Sequence, residues 1–179
     1  SGFSPGRMIL SGLGKTEDEI RLALHKDLFL IVADSRSELD RLARVAAQTS
    51  GRARTAIRVH PAGDHPSKVG IPLPLAEEGF RHASDTEGLE VIGLHLFFGR
   101  HLPSGEAYME VLEQVLALTD RLSAAGVVLT CLDMGSAVAP LMLDRRFCET
   151  VVERVGGRPL KILFEPGRTL VSHAGVMLT

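Results

Sequence analysis

Leu28-Phe29-Leu30-Ile31-Val32-Ala33-Asp34-Ser35-Arg36-Ser37-Glu38-Leu39 carries the reading of the fold. Its first six residues form an unbroken apolar run rather than an alternating one, the pattern of a parallel strand covered on both faces. Ser35 with Glu38 three residues on is a capping-box pattern, and Leu39, Leu42, Ala43 and Ala46 then recur at helical spacing. A buried strand that hands over directly to a capped, one-faced helix is the repeating unit of an α/β protein.

The same order is found on both sides. Upstream, Met8-Ile9-Leu10 reads as a short strand, and Thr16 with Glu19 caps a helix whose buried stripe is Ile20, Ala23 and Leu24. Downstream, strands are predicted over Thr55–Val59, Glu90–Phe98, Val127–Met134 and Lys161–Phe164. Helices are predicted from about Leu75 to Ala83, from a Ser104 cap to a terminating Gly126, and around Phe147, Val151, Val152 and Val155. The face of the longest helix is marked by Ala107, Val111, Leu112, Val115, Leu118 and Leu122, and Gly175 to Thr179 starts one more extended segment. Such strand-to-helix repeats with right-handed crossovers fit either an open doubly wound sheet or a barrel. No GxGxxG follows the first strand, and strand-end glycines are scattered over several units, which favours a barrel whose rim is shared by many loops. A complete barrel of this type has eight strands and about 250 residues, so a chain of 179 is short by roughly two units.

Composition sets the class. With 45% apolar and 23% charged residues and a formal net charge of -2, the chain has the make-up of one ordinary globular domain, with nothing that advertises a nucleic-acid or membrane surface. Cys131 and Cys148 have no metal-ligand spacing and read as two buried thiols of a reducing compartment, which makes the cytoplasm the expected location. No leader, lipidation signal or membrane-spanning run is visible.

The candidate site is the turn Glu165-Pro166-Gly167-Arg168. A Pro-Gly pair stops the last strand and leaves a carboxylate and a guanidinium at its carboxyl end, where parallel α/β sheets and barrels bind ligands. Arg168 suits a phosphate, because its planar fork matches phosphate oxygens and its charge does not titrate away. Glu165 suits a protonated ring nitrogen. Together these roles fit pyridoxal phosphate, which needs a protonated pyridine and an anchored phosphate. The plain alternative is loop punctuation with Glu165 and Arg168 paired to each other on a rim.

Six further segments decide between these readings. GLGKT (Gly12 to Thr16), VADS with SEL (Val32 to Ser35, Ser37 to Leu39), RVHP (Arg58 to Pro61), GLHLFFG (Gly93 to Gly99), LDMGSA (Leu132 to Ala137) and FEPGR with HAGVMLT (Phe164 to Arg168, His173 to Thr179) occur in one order along nearly the whole chain. In that order they resemble the pyridoxal-phosphate-dependent decarboxylases of the diaminopimelate and ornithine decarboxylase family. The resemblance implies an alanine-racemase-like (β/α)8 barrel, present here as about six of its eight units in a single partial domain over residues 1–179. It implies that Glu165 faces the pyridine nitrogen, that Gly167 and Arg168 belong to the cofactor turn, and that the backbone at Gly135, Ser136 and Ala137 cradles the phosphate. Where the family has a stacking imidazole this chain has Phe97, and where it has a phosphate-contacting serine this chain has Arg100. Its three consecutive glycines are here Gly135-Ser136-Ala137.

The family's Schiff-base lysine is expected before Ser1 and its β-domain, with a catalytic cysteine, after Thr179. None of Lys15, Lys26, Lys68 and Lys161 stands at a matching position. The expected function is therefore part of an amino-acid decarboxylase with a small amino-acid substrate, a homodimer when full-length. The alternative is a non-catalytic, cofactor-binding or regulatory relative on the same barrel. Of the remaining polar residues, Arg58 reads either as a partner of the site or as a structural ion pair. His95 reads as an inward-pointing, hydrogen-bonded histidine, and Phe98 as core. His60, His65, His82 and His101 lack metal spacing and read as solvated. Lys15 does not belong to a Walker loop, because the four residues between the Walker glycines are missing.

Overall fold

The structure is a computed structural model that describes residues 2–49, 51–61, 69–98, 105–135, 145–167, 170 and 174–175. Its strands are β1 (Ile9–Leu10), β2 (Leu30–Ala33), β3 (Ala53–His60), β4 (Ile71–Pro72), β5 (Leu89–Leu96), β6 (Cys131–Asp133) and β7 (Lys161–Leu163). The helices are α1 (Glu17–His25), α2 (Arg36–Gln48), α3 (Ala76–Asp85), α4 (Gly105–Ala124) and α5 (Arg145–Val155). All strand pairs are parallel, in the order β1-β2-β3-β5-β6-β7, with β4 adding to the carboxyl end of β3.

That order settles the choice between sheet and barrel. A doubly wound sheet reverses direction at a switch point, whereas here each new strand is laid beside the last, as in a barrel wall. The chain is an incomplete barrel. β4 is the one strand not foreseen, and it is built on Pro72 inside a stretch that reads as loop. β6 is shorter than expected, because Val127 to Thr130 approach it without joining the ladder.

Local chemistry explains the elements. At α1 the Thr16 side chain accepts from the Glu19 N–H while the Glu19 carboxylate accepts from the Thr16 N–H, a complete capping box. At α2 only half the box forms. Ser35 accepts from the Glu38 N–H, but the Glu38 carboxylate accepts from the Asp34 N–H instead and meets Lys15 Nζ at 3.1 Å. The stripe of α2 is buried as expected, and so are Leu112, Val115, Leu118 and Leu122 of α4, which ends at Ala124 just before Gly126 with φ +87. The Ser104 cap and residues 176–179 of the expected last segment lie outside the described residues.

Two apolar layers hold the wall. The larger lies between strands and helices, where Phe80, Tyr108, Leu94 and Leu132 are buried. The smaller comprises Leu30, Val32, Ala56 and Cys131, with Ile9, Phe29, Ile92 and Leu163 packed around it. Between Thr55 and Ala56 the β3–β5 register shifts by one residue, so Val91 pairs with Thr55 but Gly93 with Ala56. A shift of this kind re-phases the alternation of side chains and re-aims those beyond it. Three expectations change. Val152 is exposed, Cys148 is only half-buried, and His60 is buried with its Nδ1 3.0 Å from the Pro61 carbonyl oxygen. Among the described residues no helix is long and apolar enough to cross a membrane.

Candidate cofactor site at the strand mouths

Beyond the register shift, Arg58 of β3 pairs across the ladder with His95 of β5, and His95 pairs with Asp133 of β6. Ladder partners in a parallel sheet point to the same face, so these three polar side chains stand in one row. All three are buried, at 6%, 2% and 0% exposure. The row sits at the carboxyl ends of the strands, next to the turn that carries Glu165.

Glu165 is tied to that row. Its N–H donates to the Gly135 carbonyl at 3.0 Å, which joins the turns after β6 and β7. Its carboxylate Oε2 lies 3.6 Å from His95 Nε2, an ion-pair distance just beyond a hydrogen bond. His95 opposite it, aided by Ser11 and Arg58, holds the half-buried carboxyl below the usual range against the opposing effect of burial. Asp133 is driven the other way: burial pushes its carboxyl up, although His95 and the Gly135 N–H at 2.9 Å both favour its charged form.

Gly135 has φ +64, and a Cβ there would overlap the carbonyl oxygen of Leu96. Only glycine fits this approach without a shift of backbone. Its own N–H is engaged by Asp133 Oδ1, so Gly135 supplies the turn rather than a free donor. Ser136, Ala137, Arg100 and Arg168, the other phosphate candidates, lie outside the described residues. Gly167 is exposed, with its N–H donating to the Glu165 carbonyl at 2.8 Å.

Phe97, half-buried, faces Arg58. Phe98 turns the opposite way and stacks on Tyr108 at a centroid distance of 4.8 Å, in the core as expected. Arg58 is part of a buried charge network. Its Nε lies 2.8 Å from Asp34 Oδ1, and its NH2 group donates to the Ser11 carbonyl at 2.6 Å. Lys15, 2% exposed, donates to the Gly12 carbonyl at 2.5 Å and stands between Asp34 at 3.5 Å and Glu38 at 3.1 Å. Arg58 is thus a structural ion pair and a neighbour of the site at once. Burial pushes the Asp34 carboxyl up, outweighing Arg58 and Lys15.

The described part of the rim fits a pyridine-type cofactor. It offers a carboxylate held toward its charged form after β7, a half-buried aromatic face after β5, and a close backbone approach that only glycine permits. Asp133 is the residue that the sequence reading passed over. The available signal was its place two residues before a glycine, where an Asx side chain closes a turn on the backbone N–H.

Comparison with known proteins bears on the same rim. A family model described as pyridoxal-dependent decarboxylase, pyridoxal binding domain, matches residues 1–172. The chain is 35% identical over 196 residues to the diaminopimelate decarboxylase of Pseudomonas aeruginosa, covering 100% of this chain and 47% of that protein. The crystal structure of AQ1208 from Aquifex aeolicus superimposes with TM-score 0.80 and 30% identity, over 94% of this chain and 42% of the other. Diaminopimelate decarboxylase from Helicobacter pylori, solved in complex with L-lysine, gives TM-score 0.83 and 26% identity over 94% of this chain and 47% of its own. The chain spans about half the length of the curated relatives it matches.

Proposed function

Because the chain belongs to the pyridoxal-dependent decarboxylases, as the part their pyridoxal binding domain describes, we propose that it is the cofactor-holding portion of a diaminopimelate-type amino-acid decarboxylase. Pyridoxal phosphate, when bound, supplies an electron sink for the negative charge left at the substrate carbon as carbon dioxide departs. Glu165 would hold the proton on the ring nitrogen, since an ionised carboxylate at that atom favours the protonated pyridine. Phe97 would offer one face to the ring, and its other neighbour, Arg58, raises the positive potential of the same rim. Arg168 and Arg100, with the backbone at Gly135, Ser136 and Ala137, are the groups assigned to the phosphate. Gly167 is assigned to the same cofactor turn as Glu165. The substrate is a small amino acid, the full-length protein a homodimer, and its compartment the cytoplasm.

The observation that carries this reading is the junction of Glu165 with Gly135: one backbone hydrogen bond of 3.0 Å brings together the turns assigned to ring and phosphate. The test is equilibrium dialysis of the 179-residue chain against pyridoxal phosphate, beside Glu165→Gln and Arg168→Gln. Saturable binding that both substitutions weaken is the expected result. Absence of binding, or binding indifferent to both, would overturn the assignment. Decarboxylation is then assayed on the full reading frame with diaminopimelate.

A further inference from the structure

A nitrogen of His95, an oxygen of Asp133 and an oxygen of Glu165 lie within 4.8 Å of one another. Neither ring nitrogen of His95, nor Asp133 Oδ2, has a hydrogen-bond partner among the described residues. Asp133 and His95 are sealed from solvent, whereas Glu165 remains partly open to it. Unpaired buried polar atoms are costly, and an imidazole set between two carboxylates relieves that cost by sharing protons with both. In the comparable arrangement around ligating histidines, the second carboxylate fixes which way the ring faces and how it is protonated.

Other groups act on the same cluster. Arg58 of β3 and Ser11 after β1 face Glu165, while Tyr108 of α4 faces Asp133 and Cys148 of α5 faces Tyr108. Arg58 acts on Asp133 as well, and Cys131 of β6 faces it, but of all these groups His95 is the one whose ring nitrogen lies within 4.8 Å of an oxygen of each carboxylate and 3.6 Å from Glu165. The Asp133 carboxylate is itself held in place by the Gly135 N–H at 2.9 Å, so the row has a fixed end and an open end. Glu165 is the open end.

We propose that His95 is a positioning residue: standing 3.6 Å from Glu165 with Asp133 behind it, its imidazole fixes the orientation and charge of the Glu165 carboxylate, which meets the heterocycle nitrogen of the cofactor. This rests on the pyridoxal phosphate reading above and goes beyond it, since His95 touches neither cofactor nor substrate in this role. Asp133 acts one step further back, holding the ring. The same three donors would also suit a divalent cation, and the test separates the two uses.

The experiment measures binding of two probes to the full chain: pyridoxal 5'-phosphate and its 1-deaza analogue, which keeps the phosphate and ring shape but lacks the nitrogen. In His95→Phe, pyridoxal phosphate should bind about tenfold more weakly, because the carboxylate loses the imidazole that favours its charged form, while the analogue is unaffected. His95→Gln, whose amide can still donate, should recover part of the loss, and it carries the comparison alone if His95→Phe does not fold. Equal weakening of both probes would overturn the proposal, because a merely structural histidine would move both. Stoichiometric zinc uptake by the ligand-free chain, abolished in His95→Gln, would overturn it as well. If the wild-type chain binds neither probe, the cofactor reading fails, and His95 is judged on the ligand-free protein. There, 13C NMR of the Glu165 carboxyl should show its titration midpoint rising in His95→Gln, and an unmoved midpoint counts against the proposal.

Discussion

The guanidinium carbon of Arg58 lies 5.5 Å from the centroid of the Phe97 ring, and the same guanidinium is ion-paired with Asp34. An aromatic face tolerates a cation at this distance, whereas an imidazole in its place would resist protonation. In Phe97→His the new ring should therefore titrate below the ordinary histidine value of about 6.5. Adding Arg58→Met should bring the midpoint back up. Two-dimensional NMR of the imidazole carbons reads both.

Lys15 is a buried ammonium that serves two carboxylates. Removing one member of such a set leaves uncompensated charge, so Lys15→Met should cost about 3 kcal/mol in chemical denaturation. Pairing it with Glu38→Met should restore much of that stability, because Asp34 keeps Arg58 as its partner.

The two carboxyls of the site push the pH profile in opposite directions. Glu165 titrates low, so its contribution is present above the ordinary carboxyl value and is lost as pH falls through its folded value. Asp133 titrates high, so from the ordinary value upward the folded chain keeps a proton that the unfolded chain has released. Stability therefore falls as pH rises through the Asp133 value. Asp133→Asn, which still accepts the Gly135 N–H, should remove that decline from a plot of melting temperature against pH. A decline that persists would assign it elsewhere.

Tyr108 is fully buried, with its hydroxyl unpaired among the described residues and close enough to Asp133 for the two charges to oppose each other. Tyr108→Phe keeps the stacking on Phe98 and the edge contact with Phe147 while removing a polar atom without a partner. The variant should gain about 1 kcal/mol in urea unfolding.

The strands were legible wherever apolar runs were continuous, as at Leu30–Ala33, because burial on both faces leaves its mark in composition. β4 was not, since a two-residue strand on Ile71-Pro72 lacks the length to show a period. Of the candidate site residues, Glu165 stands out from its Pro-Gly turn, whereas Gly135 enters through the resemblance; its left-handed backbone shows only in the fold. The Lys15–Asp34–Arg58 network could not be read, because Lys15 and Asp34 lie in the loops after β1 and β2 and meet Arg58 of β3 only in the folded chain. Glu38 shows the limit of a local rule: it fits the capping box in sequence, yet a buried lysine draws it inward. His60 misled for a similar reason, since its polar neighbours conceal that β3 carries it into the wall.

The glycine after β6 also sets how freely this half-barrel can be re-engineered. In a codon-randomised library screened for folded protein, position 135 should return glycine alone, because every other residue meets the Leu96 oxygen in a left-handed backbone. Position 157, with open space around it and no such backbone, should return most of the genetic alphabet. A designer has liberty at the approach to β7, on the far side of the wall, and none beneath Leu96.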